Sequence, residues 1–251
     1  MMPKDQAIPK EWIVPDWPAP RRVRAFVTTR EGGVSEGEYA SLNLGASAGD
    51  KAANVSRNRS IVRSRLPAEP RWMAQVHGTE VAFLDELGQG VAPKADAAIT
   101  KSPGVVAGVL TADCMPLFFC DAGGTRVAVA HAGWRGMAAG VIENTVRALA
   151  VPPGDIIVWL GPAIGPAAFE VGPEVREAFV AVDENAAHAF RAHAPGKFMA
   201  DLYALGRGRL QRAGVSSIHG GGFCTRTDSA RFFSYRRAKA SGRMGAFIWM
   251  E

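Results

Sequence analysis

Cysteine is scarce in this 251-residue chain, with only Cys114, Cys120 and Cys224. An odd, scattered set excludes a disulfide scaffold and a four-cysteine zinc ribbon. It fits a reducing, cytoplasmic setting. Long apolar runs are missing too. None approaches the ~20 residues of a membrane helix, so no membrane is expected as a partner. Met1–Trp12 is polar and charged, without the apolar stretch of a secretory leader. No internal repeat and no low-complexity segment is present. The basic charge comes without a helix-turn-helix, zinc-finger or RNP-type signature, so nucleic acid is not expected as a partner.

What is present is an ordinary globular composition, 47% hydrophobic and 21% charged. At this length one core can bury roughly 70–75% of the unfolded surface. Residues 1–20, proline-rich and aperiodic, read as a surface lead-in. Residues 21–251 read as a single domain. The net charge of +5 is unevenly spread: residues 197–251 carry ten Lys/Arg against three Asp/Glu. That leaves the first four-fifths slightly acidic. A basic final fifth, with Arg226, Arg231, Arg236 and Arg237, could set a positive field beside a site for an anion.

The stretch from Val105 to Met137 organises the chain. It reads as strand (Val105–Leu110), polar break (Thr111–Cys114), strand (Pro116–Cys120), glycine turn, strand (Val127–Ala130) and helix (Met137–Leu149). Before it, Arg24–Thr29 is strand-like and Lys51–Leu66 helical. Arg71–Val76 reads as a strand that Val81–Leu84 pairs with, and Gly88–Ala95 as a loop. After it, Ile156–Leu160 is a buried-type strand. Pro173–Val182 and Met199–Ala213 read as helices, the second stopped by Gly214. Asn185–Ala194 is ambiguous. Arg231–Arg237 and Ala246–Met250 are strand-like.

A turn centred on Gly123-Gly124 or on Ala122-Gly123 puts Cys114 opposite a position within two residues of His131. Directly opposed side chains have Cβ atoms about 4.5–5.5 Å apart. A thiolate and an imidazole at that range can share a metal or act as nucleophile and base. Against this stands the common case of a buried, inert cysteine, which is how Cys120 is read. Of the five histidines, His77 also sits at a glycine turn, whereas His188 and His193 read as surface residues. Spacing alone does not locate a third ligand.

Three segments then carry a resemblance: Gln75-Val76-His77-Gly78, Thr111-Ala112-Asp113-Cys114-Met115-Pro116 and His131-Ala132-Gly133-Trp134-Arg135-Gly136. They are similar to the signature blocks of the laccase-domain family, once labelled multicopper polyphenol oxidases. Thr28–Ser35, Ser41–Gly45, Gly161–Pro166 and Cys224-Thr225 match in the same order. The resemblance spans nearly the whole chain. It implies an α/β (α+β) layered sandwich with mixed β-sheets flanked by helices. It also implies one laccase-domain-type catalytic domain over 21–251, and a zinc site of His77, Cys114 and His131.

The activity it implies is purine nucleoside phosphorolysis of inosine, adenosine or guanosine types, methylthioadenosine included, with adenosine deamination. Nucleoside and phosphate are the expected partners. Bacterial members linked to peptidoglycan editing supply an alternative substrate. In that frame Cys114 binds as thiolate. Asp113 is the candidate to move protons or orient His131. Asn43 and Gln75 are candidates to read purine or ribose edges, and Arg59 or Arg135 to hold phosphate.

Three rivals remain. Two His and one Cys also suit a blue-copper oxidase, so copper is the alternative metal. Met115, however, points away from its strand neighbour Cys114, and five histidines are too few for a multicopper laccase. A metal-free cysteine hydrolase would use Cys114 and His131. A non-enzymatic binder would use the basic C-terminal region on an anion or nucleic acid.

Overall fold

The structure, a computed structural model, describes residues 7–88, 90 and 92–251. Positions 1–6 of the expected lead-in and positions 89 and 91 of the Gly88–Ala95 loop lie outside the described residues. A mixed six-stranded sheet runs in the order β11 (Ser217–Gly220), β7 (Ile156–Leu160), β5 (Met115–Asp121), β6 (Val127–Ala132), β3 (Ala97–Thr100) and β2 (Val81–Phe83). Its outer pairs, β11 with β7 and β2 with β3, are parallel, and the inner pairs antiparallel.

Strict side-chain alternation makes this sheet the middle of the molecule. Leu117 and Phe119 of β5 point to one face, Phe118 and Cys120 to the other. The first face is covered by α2 (Trp134–Ala139), α3 (Val141–Leu149), α4 (Pro173–Val180) and α5 (Leu202–Arg212). The second face packs on an antiparallel sheet of β1 (Val23–Val27), β12 (Met244–Met250) and β4 (Ala107–Thr111). β12 alternates in turn: Ala246 and Ile248 face the large sheet, while Phe247 and Trp249 face away.

That outer face is closed by α1 (Ala52–Arg63) and by Trp12, which stacks on Phe26 at 5.0 Å. Ile13 bridges to Val27 beside it. Each fully buried aromatic or leucine contributes roughly 1.5–3 kcal/mol. The result is the layered α+β sandwich with mixed sheets. A small sheet of β8 (Glu170–Val171), β10 (Phe198–Ala200) and β9 (Phe190–Ala192) sits at the edge.

The central hairpin takes one of its two expected registers. Pro116 pairs with His131 and Met115 with Ala132, so the turn centres on Gly123-Gly124. The Asp121 carboxylate fixes it by accepting from the Thr125 and Arg126 amides at 2.7 and 2.8 Å. Gly124 supplies φ +62°. Cys114, one residue before β5, thereby lies near Gly133 at the sheet's end.

Several elements differ from their expectation. Arg71–Val76 forms only an isolated bridge, Arg71 to Ala107, because an acceptor carboxylate captures its last amide, that of Val76. Its supposed return strand, β2, pairs in parallel with β3 instead. The helix expected from Met137 begins at Trp134 and is broken at Gly140, whose φ of +109° ends α2. The segment from Met199 opens as β10 before Asp201 caps α5 through the Ala204 amide. Asn185–Ala194 resolves into a 3₁₀ turn followed by β9. Arg231–Arg237 is not a strand. Its turns are held by the Arg237 guanidinium on the carbonyls of Thr225, Arg226 and Phe232.

Candidate metal centre

His77, Cys114 and His131 reach one end of the central sheet from three segments. One ligand atom of each lies within 4.8 Å of the others. His131 is on β6, Cys114 is in the turn entering β5, and His77 is in the loop before β2. Cys114 Sγ is 3.9 Å from His77 Nε2, and the two imidazoles meet edge to face at 4.9 Å. Among the described residues this is the one group of three or more His, Cys, Asp and Glu so arranged.

The group that builds the centre is Asp96, a fully buried carboxylate that sequence reasoning missed. Its Oδ1 lies 2.9 Å from His131 Nδ1 and accepts the His77 amide at 3.0 Å. Its Oδ2 accepts the amides of Val76 and Gly78 at 3.0 and 2.7 Å. One side chain thus folds the His77 turn, where φ is +57°, and orients His131. Burial works to raise the Asp96 pKa. The hydrogen bonds from His131, Gly78 and Val76 overcome it, so the carboxyl stays below its usual range. The only sequence signal is that Asp96 stands just before an apolar run.

Electrostatics favour a Cys114 thiolate beside a charged His131, whose proton a metal ion would displace on binding. Burial opposes the Cys114 thiolate, yet His131 and His77 bring its pKa down to about 6. Burial likewise opposes charge on His131, but the Cys114 thiolate and Asp96 raise it to about 9. With Nδ1 held by Asp96, His131 presents Nε2 to a metal, as metal-binding histidines backed by a carboxylate do. Two imidazoles and a thiolate form a tetrahedral zinc donor set with one position left for substrate.

Close packing sets the room available. A Cβ on Gly133 would stand 2.8 Å from Cys114 Sγ and 3.0 Å from His77 Cδ2. A Cβ on Gly136 would stand 2.8 Å from the Gly78 carbonyl, so α2 rests directly on the His77 turn. Met115 is fully buried and its Cε packs toward Gly206 in the helical core, which removes it as an axial copper ligand.

The remaining candidates sit as follows. Asp113, with φ +80°, accepts from Thr225 Oγ1 at 2.5 Å and from the Arg236 amide at 2.7 Å. It ties the basic C-terminal loop to the Cys114 turn, while the orienting of His131 expected of it falls to Asp96. Both amide ends of Gln75 are engaged by the Leu110 backbone, at 2.9 and 2.8 Å. Asn43 is fully buried; its Oδ1 accepts the Gly45 and Arg243 amides and its Nδ2 donates to Asp50. With these bonds both side chains brace the fold. Arg59 donates to the Leu44 carbonyl and covers Trp72, on a groove along α1. Arg135 is exposed and lies on Trp134.

No helix of the described residues is long and apolar enough to cross a membrane. The model of the family described as multi-copper polyphenol oxidoreductase laccase matches residues 24–251. A purine nucleoside phosphorylase of Pseudomonas aeruginosa is 54% identical over 241 residues, covering 96% of this chain and 98% of that protein. One from Escherichia coli is 53% identical, covering 95% and 98%. A crystal structure from Neisseria meningitidis superposes with a TM-score of 0.93 at 48% identity, covering 96% of this chain and all of that one. YlmD from Geobacillus stearothermophilus gives 0.87 at 31% identity, covering 98% of both.

Proposed function

The chain belongs to this laccase-domain family, and from that premise we propose that it is a zinc-dependent purine nucleoside phosphorylase. Residues 21–251 form its single catalytic domain. The observation that carries the metal assignment is the His77/Cys114/His131 cluster with Asp96 behind His131. The phosphorylase assignment is supported by the names of relatives more than half identical over nearly their full length. A cytoplasmic setting suits it, because Cys114 must stay reduced to act as a ligand.

In the reaction, a phosphate oxygen forms a bond to the sugar's anomeric carbon as the carbon–nitrogen bond to the purine breaks. The bonding pair leaves on the purine, which takes up a proton. Products are free base and sugar 1-phosphate. Bound zinc supplies a Lewis acid that can polarise a substrate oxygen or lower the pKa of water. The chain's own task is to hold reactants in place. Asp96 fixes His131 and the His77 turn. Asp113 keeps the basic loop against the site. Adenosine deamination is proposed as a second activity of the same centre, needing water and no phosphate.

A multicopper oxidase is disfavoured by the ligand inventory: one three-residue cluster among the described residues, and Met115 in the core. The test is inosine turnover across a phosphate series on protein purified without added metal. Hypoxanthine release that rises with phosphate and yields ribose 1-phosphate is expected. Release independent of phosphate would mean hydrolysis. No release at any concentration would shift the substrate toward the cell-wall precursor.

A further inference from the structure

The four arginines expected to give the site its positive field are committed elsewhere, or show no bond toward it. Arg231 pairs with Asp228 at 2.6 Å. Arg236 donates to the Glu170 carbonyl and lies over Phe169. Arg237 holds three backbone carbonyls, one of them that of Arg226. A fifth arginine, Arg243, stands differently. It is half-buried just before β12, whose first residue, Met244, pairs with Thr111 at the end of β4, three residues from Cys114. Burial lowers its pKa, and the Cys114 and Asp113 charges work against that.

The side chain is built into place. The Arg243 amide donates to Asn43 Oδ1 at 2.9 Å. Its stem lies on Gly45, where a Cβ would come within 2.7 Å of Arg243 Cγ. Nη1 donates to the carbonyls of Ser241 and Gly242 at 2.6 and 3.0 Å, and the guanidinium stands 5.9 Å from the exposed Tyr235 ring. Nε and Nη2 make no hydrogen bond among the described residues, and neither is sealed from solvent. No carboxylate pairs with it within 4.0 Å among those residues.

A guanidinium taken partly out of water without a counter-ion is costly. The two acidic groups near it are already engaged, Asp113 by Thr225 and Arg236, Cys114 by the histidines and any cation they hold. What remains is a rigid fork of N–H donors next to the segment that leads into the Cys114 turn, a shape that matches a tetrahedral oxyanion. We propose that Arg243 is the anion-binding group of this site and holds the phosphate co-substrate next to the His77/Cys114/His131 centre. The identification of the anion as co-substrate rests on the phosphorylase reading; the subsite itself does not. It also gives Asn43 a purpose, as the residue that positions Arg243.

Binding is read without turnover, by calorimetric titration of inorganic phosphate into the zinc-loaded full chain. Wild type should bind. Arg243→Met should weaken binding at least about tenfold, the loss expected for one charge-assisted contact. Arg243→Lys keeps the stem on Gly45 and a positive charge but loses the fork, and should fall between, which covers the case of a poorly folded Met variant. In turnover, the KM for phosphate should rise in Arg243→Lys while the KM for inosine stays near wild type. Equal phosphate affinity in wild type and both variants, or none in wild type, overturns the subsite. Binding that depends on Arg243 with no base release at any phosphate concentration upholds the subsite and overturns the phosphorylase reading.

Discussion

His131 Nδ1 lies 2.9 Å from Asp96 Oδ1, and the same carboxylate gathers the amides of Val76, His77 and Gly78. Two of the three ligands are thus set by one buried charge, although Asp96 itself does not belong to the cluster. Asp96→Asn replaces one acceptor oxygen by an NH₂ group, which cannot receive these amides. Carboxylates behind metal-bound histidines typically contribute 10–100-fold in metal affinity. Zinc affinity, measured by competition with a chelator, should fall by about that factor while the protein still unfolds in one transition. Unchanged affinity would confine Asp96 to the turn.

The ligands themselves should behave as a unit. His77→Ala, Cys114→Ala and His131→Ala should each lower zinc below about one per chain and abolish turnover, with the fold retained. Gly133→Ala should do the same from outside the ligand set, because its methyl group would meet Cys114 Sγ at 2.8 Å. Elemental analysis of protein purified without added metal is the readout. Wild-type zinc in any ligand variant removes that residue from the set.

Thiol chemistry in the metal-free protein follows from the shifted pKa values. Cys114 is brought from its ordinary 9.0 down to about 6 by His131 and His77, against the burial that opposes them. Cys120 is pushed up to about 12 by burial, with Asp121 adding to it. The thiolate is the reactive form. Alkylation at Cys114 should therefore climb as pH rises through about 6 and be near its plateau at neutral pH, and zinc should suppress it. Cys120 should stay unmodified throughout. Peptide mapping after iodoacetamide gives the result directly; a midpoint near 9 for Cys114 would mean the histidines do not stabilise its thiolate.

Much of this arrangement is legible in the amino-acid sequence. Alternation in β5 and the Gly123-Gly124 turn place Cys114 near His131, because hairpin register is local. The layers and the third ligand come through the resemblance carried by the QVHG, ADC and HAGWRG segments. Asp96 is not legible: a single carboxylate ahead of a strand has no pattern, and its partners lie 18 to 35 residues away. The roles of Asn43, Gln75 and Arg243 are hidden for the same reason. Their bonds go to backbone groups up to 200 positions distant, as between Arg243 and Asn43. The strand expected at Arg71–Val76 fails differently, its terminal amide, that of Val76, being captured by Asp96 instead of a partner strand.

Asp113 offers the sharpest division between positioning and chemistry. Its oxygens are both engaged, one by Thr225 Oγ1 and one by the Arg236 amide, so it clamps the basic loop onto the turn that presents Cys114. Hydrogen bonds to a charged group are worth about 1.5–3 kcal/mol each. Thr225→Val removes one of them. Asp113→Asn weakens both, since it removes the charge, leaves one neutral oxygen to accept from one donor, and sets an NH₂ group that cannot accept against the other. If the clamp is the role, both variants should keep their zinc, melt earlier and lose activity in the same direction, with Asp113→Asn the more affected. Zinc content, melting temperature and turnover on inosine are measured on the same preparations. A loss of about 10²–10⁴-fold in Asp113→Asn, of the size general acid–base groups supply, alongside wild-type rates in Thr225→Val, would instead place a proton on Asp113. Wild-type rates in both would leave Asp113 as nothing more than the residue that accommodates φ +80° next to Cys114.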